Sequence, residues 1–324
     1  MKSETIAGRS MERPVFSPEL SVVIGAIEAE SAIHECLASV VEACVGLDAE
    51  IIVVDASRDD TAAIARSGFP DLQIITMPAA DTLTPHLWSE GIARARGSKV
   101  ALITGHCRVD RRWARELVSA IDAGAAGAGG PIALSPSAST LDSAIYFIRY
   151  SAFLPTVDTG VTRAREIAGD NAMYRRDVLE KHATSFKDGF WEVEFHELLR
   201  SDGEFLTMCH GAPVVFGKSY PLDVICRHRM LHGRHFGAWR VRRRRAHAAR
   251  IIGGAPFVPL VLLRRAAGRV WSRKEYRRRF VAASPLILRL ASCWAMGEVL
   301  GAFDALASSR DKNPQAEARN AHRD

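Results

Sequence analysis

The chain has 324 residues, of which 48% are apolar and 25% charged, and its formal net charge is +6. That apolar content is enough for the core of one large domain or two small ones. The six cysteines form no CxxC pair and have no zinc-ligand spacing, which argues against a zinc site and indicates a reduced, cytoplasmic protein. Residues 1–17 lack the apolar core of a secretory signal, so we expect a short flexible tail there.

The positive charge is concentrated in one part of the chain. Between Arg227 and Arg279 there are 17 arginines and lysines and a single acid, Glu275. A cationic block of this kind attracts phosphate, either of nucleic acid or of anionic lipid. The N-terminal two-thirds of the chain has balanced charge, as is usual for a soluble catalytic domain.

Short β-branched runs alternate with helical patterns in the first hundred residues. The predicted strands are Leu20–Ile24, Glu50–Val54 and Lys99–Ile103, and helical spacing of apolar residues separates them. Strands separated by helices pair in parallel, and such sheets bind ligands beyond the carboxyl ends of their strands. Because polar residues follow these ends, at Asp55 and Thr104, the sequence predicts a site of nucleotide size there.

The later part of the chain first continues this alternation and then changes character. We therefore predict an α/β fold with a mostly parallel sheet. Beyond Pro221, basic runs alternate with the apolar segments Ile251–Leu263 and Val281–Phe303. The second segment is long enough to span a bilayer, which takes about 20 residues. Its central charges, Arg289 and Glu298, favour instead a helix that lies in the membrane interface.

Six short segments occur in a fixed order along the chain. They are Ser21–Ile24, Val53–Asp59, Gly91–Gly97, Gly129–Gly130, Gly169–Ala172 and Trp191–Phe195, the last before a helix closed by Gly203. Together they resemble the family-2-type nucleotide-sugar glycosyltransferases with the GT-A fold, over residues 19–217. The resemblance implies transfer of a sugar from a nucleotide-diphosphate donor to an acceptor hydroxyl.

The resemblance also suggests a division of the chain into four parts. Residues 1–17 are the flexible tail and residues 18–220 the GT-A domain. Residues 221–307 form a basic and apolar helical region that associates with membranes. Residues 308–324 are polar and are predicted to be disordered.

The strand end at Asp55 is expected to hold the nucleoside. A carboxylate there can accept hydrogen bonds from a base N–H or a ribose hydroxyl, and the resemblance carries the family's base contact over to Asp55, with Ser57 beside it. The alternative is an Asp that caps the following turn. Glu28 stands in the family's first loop, near the nucleoside, where the backbone is expected to matter more than the side chain.

A second loop is assigned to the donor by the same resemblance. Asp170 and Asn171 match a loop that in the family lies beside the donor sugar and the acceptor, and Arg176 follows them and is assigned to phosphate. For each of the three a structural role is the alternative, since Asx residues commonly shape turns.

The third strand end departs from the family pattern. The family usually has Asp-x-Asp there, whose acids hold a divalent cation against the donor diphosphate. Here Thr104 and His106 take those places, which resembles the Asp-x-His variant of polypeptide N-acetylgalactosaminyltransferases. The resemblance makes His106 a ligand of Mn²⁺ or Mg²⁺, and a polar loop residue is the alternative. Because Thr104 is no acid, Arg108, Arg111 and Arg112 are candidates to neutralise phosphate without a metal.

The helix before Gly203 begins with two acids. Counted back from Gly203, Glu192 takes the place of the family's catalytic Asp, and Glu194 that of the next acid. In an inverting transfer one carboxylate removes the acceptor's proton while the leaving group departs from the opposite face. The alternative is that both acids offset the helix dipole.

The basic block completes the functional prediction. His228–Arg234 loosely resembles a loop that closes over the diphosphate in processive relatives, and a solvated cationic loop is the favoured alternative. The run Arg240–Arg250 is flanked by apolar segments without any nucleic-acid-binding signature. We therefore expect an anionic membrane surface at the cytoplasmic face. A basic helical subdomain that covers the sheet is the alternative.

The predicted function is an inverting glycosyltransferase at that membrane face, acting on a glycan or lipid-linked sugar in polysaccharide assembly. Two alternatives stay open. One is a catalytically impaired relative that binds a nucleotide sugar or a partner enzyme. The other is a nucleic-acid-binding protein, and the positive charge is the only feature that supports it.

Overall fold

The computed structural model describes residues 17–157, 160–217 and 220–311. The predicted N-terminal tail and most of the predicted C-terminal tail lie outside these residues. The first four residues of the latter, 308–311, continue the last helix.

The described residues form eleven strands and eleven α-helices. In chain order these are β1 (Leu20–Ala26), α1 (Ile33–Ala43), β2 (Ala49–Asp55), α2 (Thr61–Gly68), β3 (Gln73–Thr76), α3 (Thr84–Arg94), β4 (Lys99–Thr104), β5 (Cys107–Val109), α4 (Trp113–Asp122), β6 (Gly127–Gly129), β7 (Ile132–Leu134), α5 (Thr140–Tyr150), β8 (Val161–Ala164), β9 (Asn171–Arg175), α6 (Arg176–Lys181), α7 (Glu192–Ser201), β10 (Leu206–Cys209), β11 (Val214–Phe216), α8 (Leu222–Arg243), α9 (His247–Gly254), α10 (Val258–Val270) and α11 (Lys274–Asp311). Short 3-10 turns occupy Ala183–Phe186 and Ala255–Phe257.

The main sheet has eight strands in the order β3-β2-β1-β4-β9-β6-β10-β8. Strands β3, β2, β1 and β4 are parallel, whereas β9 runs antiparallel between β4 and β6. The register places Ala26 opposite Asp55, Gly25 opposite Thr104 and Ile103 opposite Asn171. Three strand ends and the start of β9 therefore meet at one edge of the sheet, and the predicted α/β class is confirmed.

The core forms because the central strands are apolar on both faces. Every residue of β1 is buried, as parallel strands between helices require. Helix α3 lies against β1 at Gly91, where a Cβ would come within 2.1 Å of Val23. Only glycine permits this close approach of helix and strand.

The C-terminal helices share this core and do not form a separate unit. On α11, Phe280 packs edge-on against Phe147 of α5 at 5.3 Å between ring centroids. Helices α8 and α11 touch backbone to backbone: a Cβ at Gly233 would lie 2.2 Å from the Trp294 carbonyl oxygen, and one at Gly297 would lie 1.9 Å from that of Met230. Small residues at such a contact let two helices approach closely.

Two helical stretches, His247–Val270 and Lys274–Ser308, are long and apolar enough to cross a membrane by length and composition. Core helices of soluble proteins pass the same test, and 44% of the apolar window in the second stretch is buried, against 11% in the first. The exposed apolar side chains of the first stretch include Phe257 and Leu260, 65% and 60% exposed.

Candidate active site

Three of the predicted site residues form one cluster, here the edge cluster (Glu28, Asp55 and Ser57), beyond β1 and β2. The Ser57 hydroxyl donates to Asp55 Oδ1 at 2.6 Å and accepts from the Glu28 N–H at 2.8 Å. Glu28 has a left-handed backbone (φ 49°), and its Oε1 accepts the Arg58 N–H at 3.2 Å. Burial raises the pKa of Asp55, although hydrogen bonds from Ser57 oppose the shift. The cluster is thus ordered by its own hydrogen bonds at the ligand-binding edge of the sheet.

A second cluster, here the acid cluster (Thr104, Arg149 and Asp170), lies beyond β4. Asp170 is 3% exposed; its carboxylate accepts from Thr104 Oγ1 at 3.1 Å and from Arg149 Nη2 at 2.9 and 3.1 Å. Asp170 sits beside Thr104 because it immediately precedes β9, which pairs antiparallel with β4. Burial opposes the charge of Arg149, but the neighbouring Asp170 raises its pKa overall.

His106 connects the two clusters. Its Nε2–H donates to the Ile27 carbonyl oxygen at 2.8 Å, next to Glu28 in the chain. Its ring packs edge-on against Tyr220 at 4.5 Å between centroids, and Tyr220 in turn lies 5.1 Å from the ring of His228. Burial lowers the pKa of His106, which keeps the ring neutral. The other nitrogen, Nδ1, is enclosed and has no hydrogen-bond partner among the described residues.

The donor set does not suit a divalent cation. Mn²⁺ and Mg²⁺ prefer carboxylate oxygens, but Thr104 offers only a hydroxyl and the Asp170 carboxylate already binds a guanidinium. Within the three described ranges, no group of three His, Cys, Asp or Glu side chains could hold a metal ion. The prediction of His106 as a ligand of Mn²⁺ or Mg²⁺ is therefore not supported by the residues around it.

The three arginines predicted as substitutes for the metal are engaged elsewhere. Arg108 pairs with Glu35 at 3.4 Å, Arg111 pairs with Glu42, and Arg112 faces an aspartate of its own loop at 3.8 Å. Their side chains are exposed, and none lines the cavity described next. They do not supply charge to the acid cluster.

A cavity of about 420 Å³ lies between the acid cluster and the C-terminal helices. Glu192, the first residue of α7, faces it together with Asp170. A Cβ on Gly169 would lie 2.7 Å from the Trp88 ring and 3.4 Å from Glu192 Cδ, so glycine lets the loop pass between them. The apolar part of the wall consists of aromatic rings and aliphatic side chains and includes Phe153, Phe236, Trp239, Leu262 and Trp294.

The carboxyl group of Glu192 has a raised pKa. Burial raises its pKa to about 7, with a further contribution from the Asp170 charge, while its own backbone N–H and Arg149 act in the opposite direction. A carboxyl group with a pKa near the working pH is ionised often enough to accept a proton and basic enough to remove one.

Residues 21–183, half of the chain, match the family described as Glycosyl transferase family 2. The chain belongs to this family. Members of this family are glycosyltransferases, which transfer a sugar from a nucleotide-sugar donor. The family assignment confirms the predicted enzyme class.

Two solved structures similar to this glycosyltransferase are "Crystal structure of GalNAc-T7 with UDP, GalNAc and Mn2+" (15% identity, TM-score 0.47) and "Crystal structure of S. aureus TarS" (14%, 0.44). The similar regions cover 62% and 65% of this chain but 44% and 39% of those chains, so the glycosyltransferase spans less than half the length of either. No curated protein matches it.

In addition to the edge cluster and His106, three predicted site residues of this family 2 glycosyltransferase do not line the cavity. Asn171 is 0% exposed; its amide is saturated by Trp113 Nε1–H and by the carbonyl oxygens of Pro131 and Ala212, at 2.8 to 3.1 Å. Asn171 thereby joins the segments that contain Trp113, Pro131 and Ala212, and its side chain has no free group for the predicted donor contact.

Arg176 lies at the opposite end of β4, because β9 carries the chain away from the ligand edge. There it donates to the Ala95 carbonyl oxygen at 2.6 Å and pairs with Glu180, also at 2.6 Å. The predicted phosphate contact is incompatible with this position. Glu194 is bonded to His235 Nε2 at 2.5 Å and does not line the cavity. Since His235 stacks on Trp191 at 3.6 Å, Glu194 joins α7 to α8.

Several residues that line the cavity of the glycosyltransferase do not belong to any sequence motif that predicts a site. Arg149 and Tyr220 carried no sequence signal. His228, Arg229 and His232 were assigned to a basic loop, whereas they belong to helix α8, where spacing of three and four residues places them on one face. That helical spacing in the sequence is the signal that could have identified them.

Proposed function

We propose that this glycosyltransferase binds a nucleoside diphosphate sugar across the edge and acid clusters and transfers the sugar with inversion, using Glu192 as the general base. The observation that carries the proposal is the cavity that holds both Glu192 and Asp170. The pKa of Glu192, about 7, suits removal of a hydroxyl proton.

The edge cluster is the proposed nucleoside site. Asp55 ends β2 and is 4% exposed, and a buried carboxylate is a strong acceptor for a base N–H or a ribose hydroxyl. Ser57 fixes its orientation and at the same time holds the Glu28 backbone. This arrangement supports the predicted roles of all three residues, with Glu28 acting through its backbone.

The sugar is proposed to lie between Asp170 and Glu192, and the acceptor against the apolar wall of the cavity. In the transfer, the bond between the sugar carbon and the diphosphate oxygen breaks, and the electron pair goes to the diphosphate. The acceptor oxygen forms the new bond to that carbon and gives its proton to the Glu192 carboxylate. The rings of the wall suit either a glycan or a lipid-linked sugar as acceptor.

The direct test is Glu192→Gln. It keeps the size of the side chain but removes the base, and we expect transfer to fall by about a thousandfold while nucleotide binding stays within threefold. Transfer would be measured by release of nucleoside diphosphate and binding by calorimetry. The matched control is Glu194→Gln, which lies two residues away outside the cavity and should keep most activity. Near-normal turnover of Glu192→Gln would remove it from the mechanism.

One observation favours a second candidate function, a relative that binds a nucleotide sugar without turnover. The strand end lacks the usual acids, and the nearest acid, Asp170, is occupied by Arg149. A panel of nucleotide sugars distinguishes the two functions. Slow release of nucleoside diphosphate that depends on Glu192 supports the enzyme, whereas binding without any release supports the second candidate.

We also propose that residues 221–307 attach the catalytic part, residues 18–220, to the cytoplasmic face of a membrane. Phe257 and Leu260 are exposed on the stretch with least burial, and Arg264 and Arg265 follow them. Such a helix can lie in the interface of an anionic bilayer.

Sedimentation with vesicles tests the attachment. We expect binding to vesicles with phosphatidylglycerol and much weaker binding to pure phosphatidylcholine. The double variant Phe257→Ser/Leu260→Ser should bind at least fivefold less, whereas Val45→Ser, an exposed apolar residue of the catalytic part, should bind like the wild type. Equal binding by all three proteins would contradict the proposed attachment.

A further inference from the structure

Three arginines (Arg149, Arg229 and Arg240) and three acids (Glu166, Asp170 and Glu192) line the cavity, and of these arginines only Arg229 has no ion pair among the described residues. Arg149 on α5 faces it and is paired with Asp170. Arg229 on α8 also faces it, and its guanidinium lies 4.3 Å from the centre of the Trp294 ring. Arg229 Nε is enclosed and has no hydrogen-bond partner among the described residues. Such an enclosed donor without a partner is costly unless something else binds it.

Among the described residues, no acid forms an ion pair with Arg229. The acid of α11 on this side is Glu298, and it is bonded to Arg240. Burial lowers the pKa of Arg229 to about 9, with Arg149 adding to the shift and Glu298 opposing it. An arginine held in this way is stabilised when an anion enters beside it.

Two histidines of α8 line the same wall as Arg229. His228 and His232 are half-buried, and desolvation lowers the pKa of His228 to about 4 and that of His232 well below its ordinary value. Both are therefore neutral near pH 7 and can donate an N–H without adding charge. Together with the guanidinium, they give this wall donors suited to phosphate oxygens.

The wall begins where the proposed nucleoside site ends. The Ile27 carbonyl oxygen contacts His106, His106 packs on Tyr220, and Tyr220 packs on His228, with ring centroids 4.5 and 5.1 Å apart. A diphosphate that leaves the edge cluster and passes these rings enters the cavity at its cationic wall. Glu192 faces the same cavity.

We infer that Arg229, assisted by Arg149, binds the donor diphosphate and stabilises its charge as the leaving group, in place of the divalent cation for which the strand end lacks ligands. This inference rests on the proposed function. As the sugar–oxygen bond breaks, the electron pair moves to the diphosphate and the guanidinium of Arg229 neutralises the new charge, while Glu192 takes the acceptor proton. Arginine binds phosphate oxygens through pairs of charge-assisted hydrogen bonds, and this binding does not require a metal ion.

The same donors would also suit the phosphate of a lipid-linked acceptor. The experiment therefore has two ligand arms. One is a panel of the five common nucleoside diphosphates, and the other is decyl phosphate below its micellar concentration. Binding is measured by calorimetry in EDTA and again with Mn²⁺, on the full chain.

The test variant is Arg229→Met, which keeps contact with Trp294 but removes the charge. The matched control is Arg242→Met, an exposed arginine of the same helix. We expect the wild type to bind one or more nucleoside diphosphates in EDTA, with less than a threefold gain from Mn²⁺. Arg229→Met should lose at least 30-fold in this binding, and Arg242→Met less than twofold. The melting temperature of Arg229→Met should not fall, because a charge without a partner has been removed.

Each other outcome overturns the inference. Diphosphate binding that requires Mn²⁺, or that survives Arg229→Met, rejects Arg229 as the substitute for the metal and leaves the proposed function intact. Loss of decyl phosphate binding alone assigns the wall to the acceptor and rejects the donor assignment. A lower melting temperature of Arg229→Met, with diphosphate binding unchanged, assigns a purely structural role. Absence of any nucleotide binding, with or without Mn²⁺, contradicts the proposed function itself.

Discussion

The edge cluster and the cationic wall of the cavity lie on the same side of the sheet, but they are built in opposite ways. In the edge cluster, Ser57 binds both the Asp55 carboxylate and the Glu28 backbone, so the polar groups satisfy one another. In the wall, Arg229 is enclosed and its Nε has no partner among the described residues. The first region is already ordered without a ligand, whereas the second is stabilised only when an anion arrives.

This difference between the edge cluster and the wall indicates where binding energy can contribute to catalysis. Ordering the nucleoside site in advance lowers the entropy cost of binding the donor. In the inferred mechanism, Arg229 has no partner until negative charge develops on the leaving diphosphate. Its interaction with that charge is therefore stronger in the transition state than in the ground state. Three substitutions and one pH profile separate these two contributions.

The wall depends on the contact between α8 and α11, which Gly297→Ala should break. A Cβ there would lie 1.9 Å from the Met230 carbonyl oxygen, one residue after Arg229. We expect a loss of about 3 kcal/mol in the free energy of unfolding and loss of transfer activity. The control is Gly268→Ala in α10, which has open space around it and should gain about 1 kcal/mol from helix propensity. Urea denaturation measures both, and similar effects of the two variants would refute the contact.

The base should impose a pH dependence on transfer. Since the pKa of Glu192 is raised to about 7, the carboxylate is protonated below that pH and cannot accept a proton. We expect kcat/KM to fall about tenfold for each pH unit below 7 and to level off above it. Glu194→Gln should keep this midpoint, because Glu194 lies outside the cavity. A profile that is flat from pH 5 to pH 8 would exclude Glu192 as the base.

The edge cluster should respond more mildly. Ser57→Ala leaves the Asp55 carboxylate and the Glu28 N–H without their shared partner. We expect about tenfold weaker nucleotide binding and about 1–2 kcal/mol lower stability, with kcat changed less than threefold. Ser137→Ala, a loop serine outside both regions, is the control and should change neither. If Ser57→Ala lowered kcat as strongly as it lowered affinity, the cluster would act on the leaving group as well.

The strand ends could be predicted from the sequence because each depends on a local pattern. Continuous β-branched runs gave β1, β2 and β4, and the residues after them, such as Asp55, necessarily reach the ligand edge. The direction of β9 has no such signal. Its antiparallel pairing with β4 brings Asp170 to the site but carries Arg176 to the far end, so two residues of one predicted loop separate.

The cationic wall could not be predicted, because packing over long sequence separations creates it. On its own helix Arg149 resembles any surface arginine, and its surroundings are formed by residues distant in sequence, because α10 and α11 pack on α5. Arg229 belongs to a block whose composition indicates a solvated or membrane-bound surface. Gly233 and Gly297 allow α8 and α11 to approach closely. Because of this contact, Arg229 faces the cavity and not the solvent.

The smallest predicted effect concerns the stability cost of Glu192, the proposed base. Glu192 has an ordinary pKa of 4.5 when unfolded and about 7 when folded, so the folded state holds its proton over a range where the unfolded state has lost it. Stability contributed by Glu192 is therefore lost as the pH rises from about 4.5 through 7. The full shift corresponds to about 3 kcal/mol. Because Glu192 is only partly buried and water screens its charge, we expect Glu192→Gln to exceed the wild type by about 1 kcal/mol at pH 8, while the two proteins differ little at pH 4.5. Urea denaturation at the two pH values measures this difference. If the wild type is instead the more stable protein at pH 8, other groups of the protein compensate the Glu192 charge. Arg229 would then be the one residue of the cavity that differs from the edge cluster, where the polar groups bind one another.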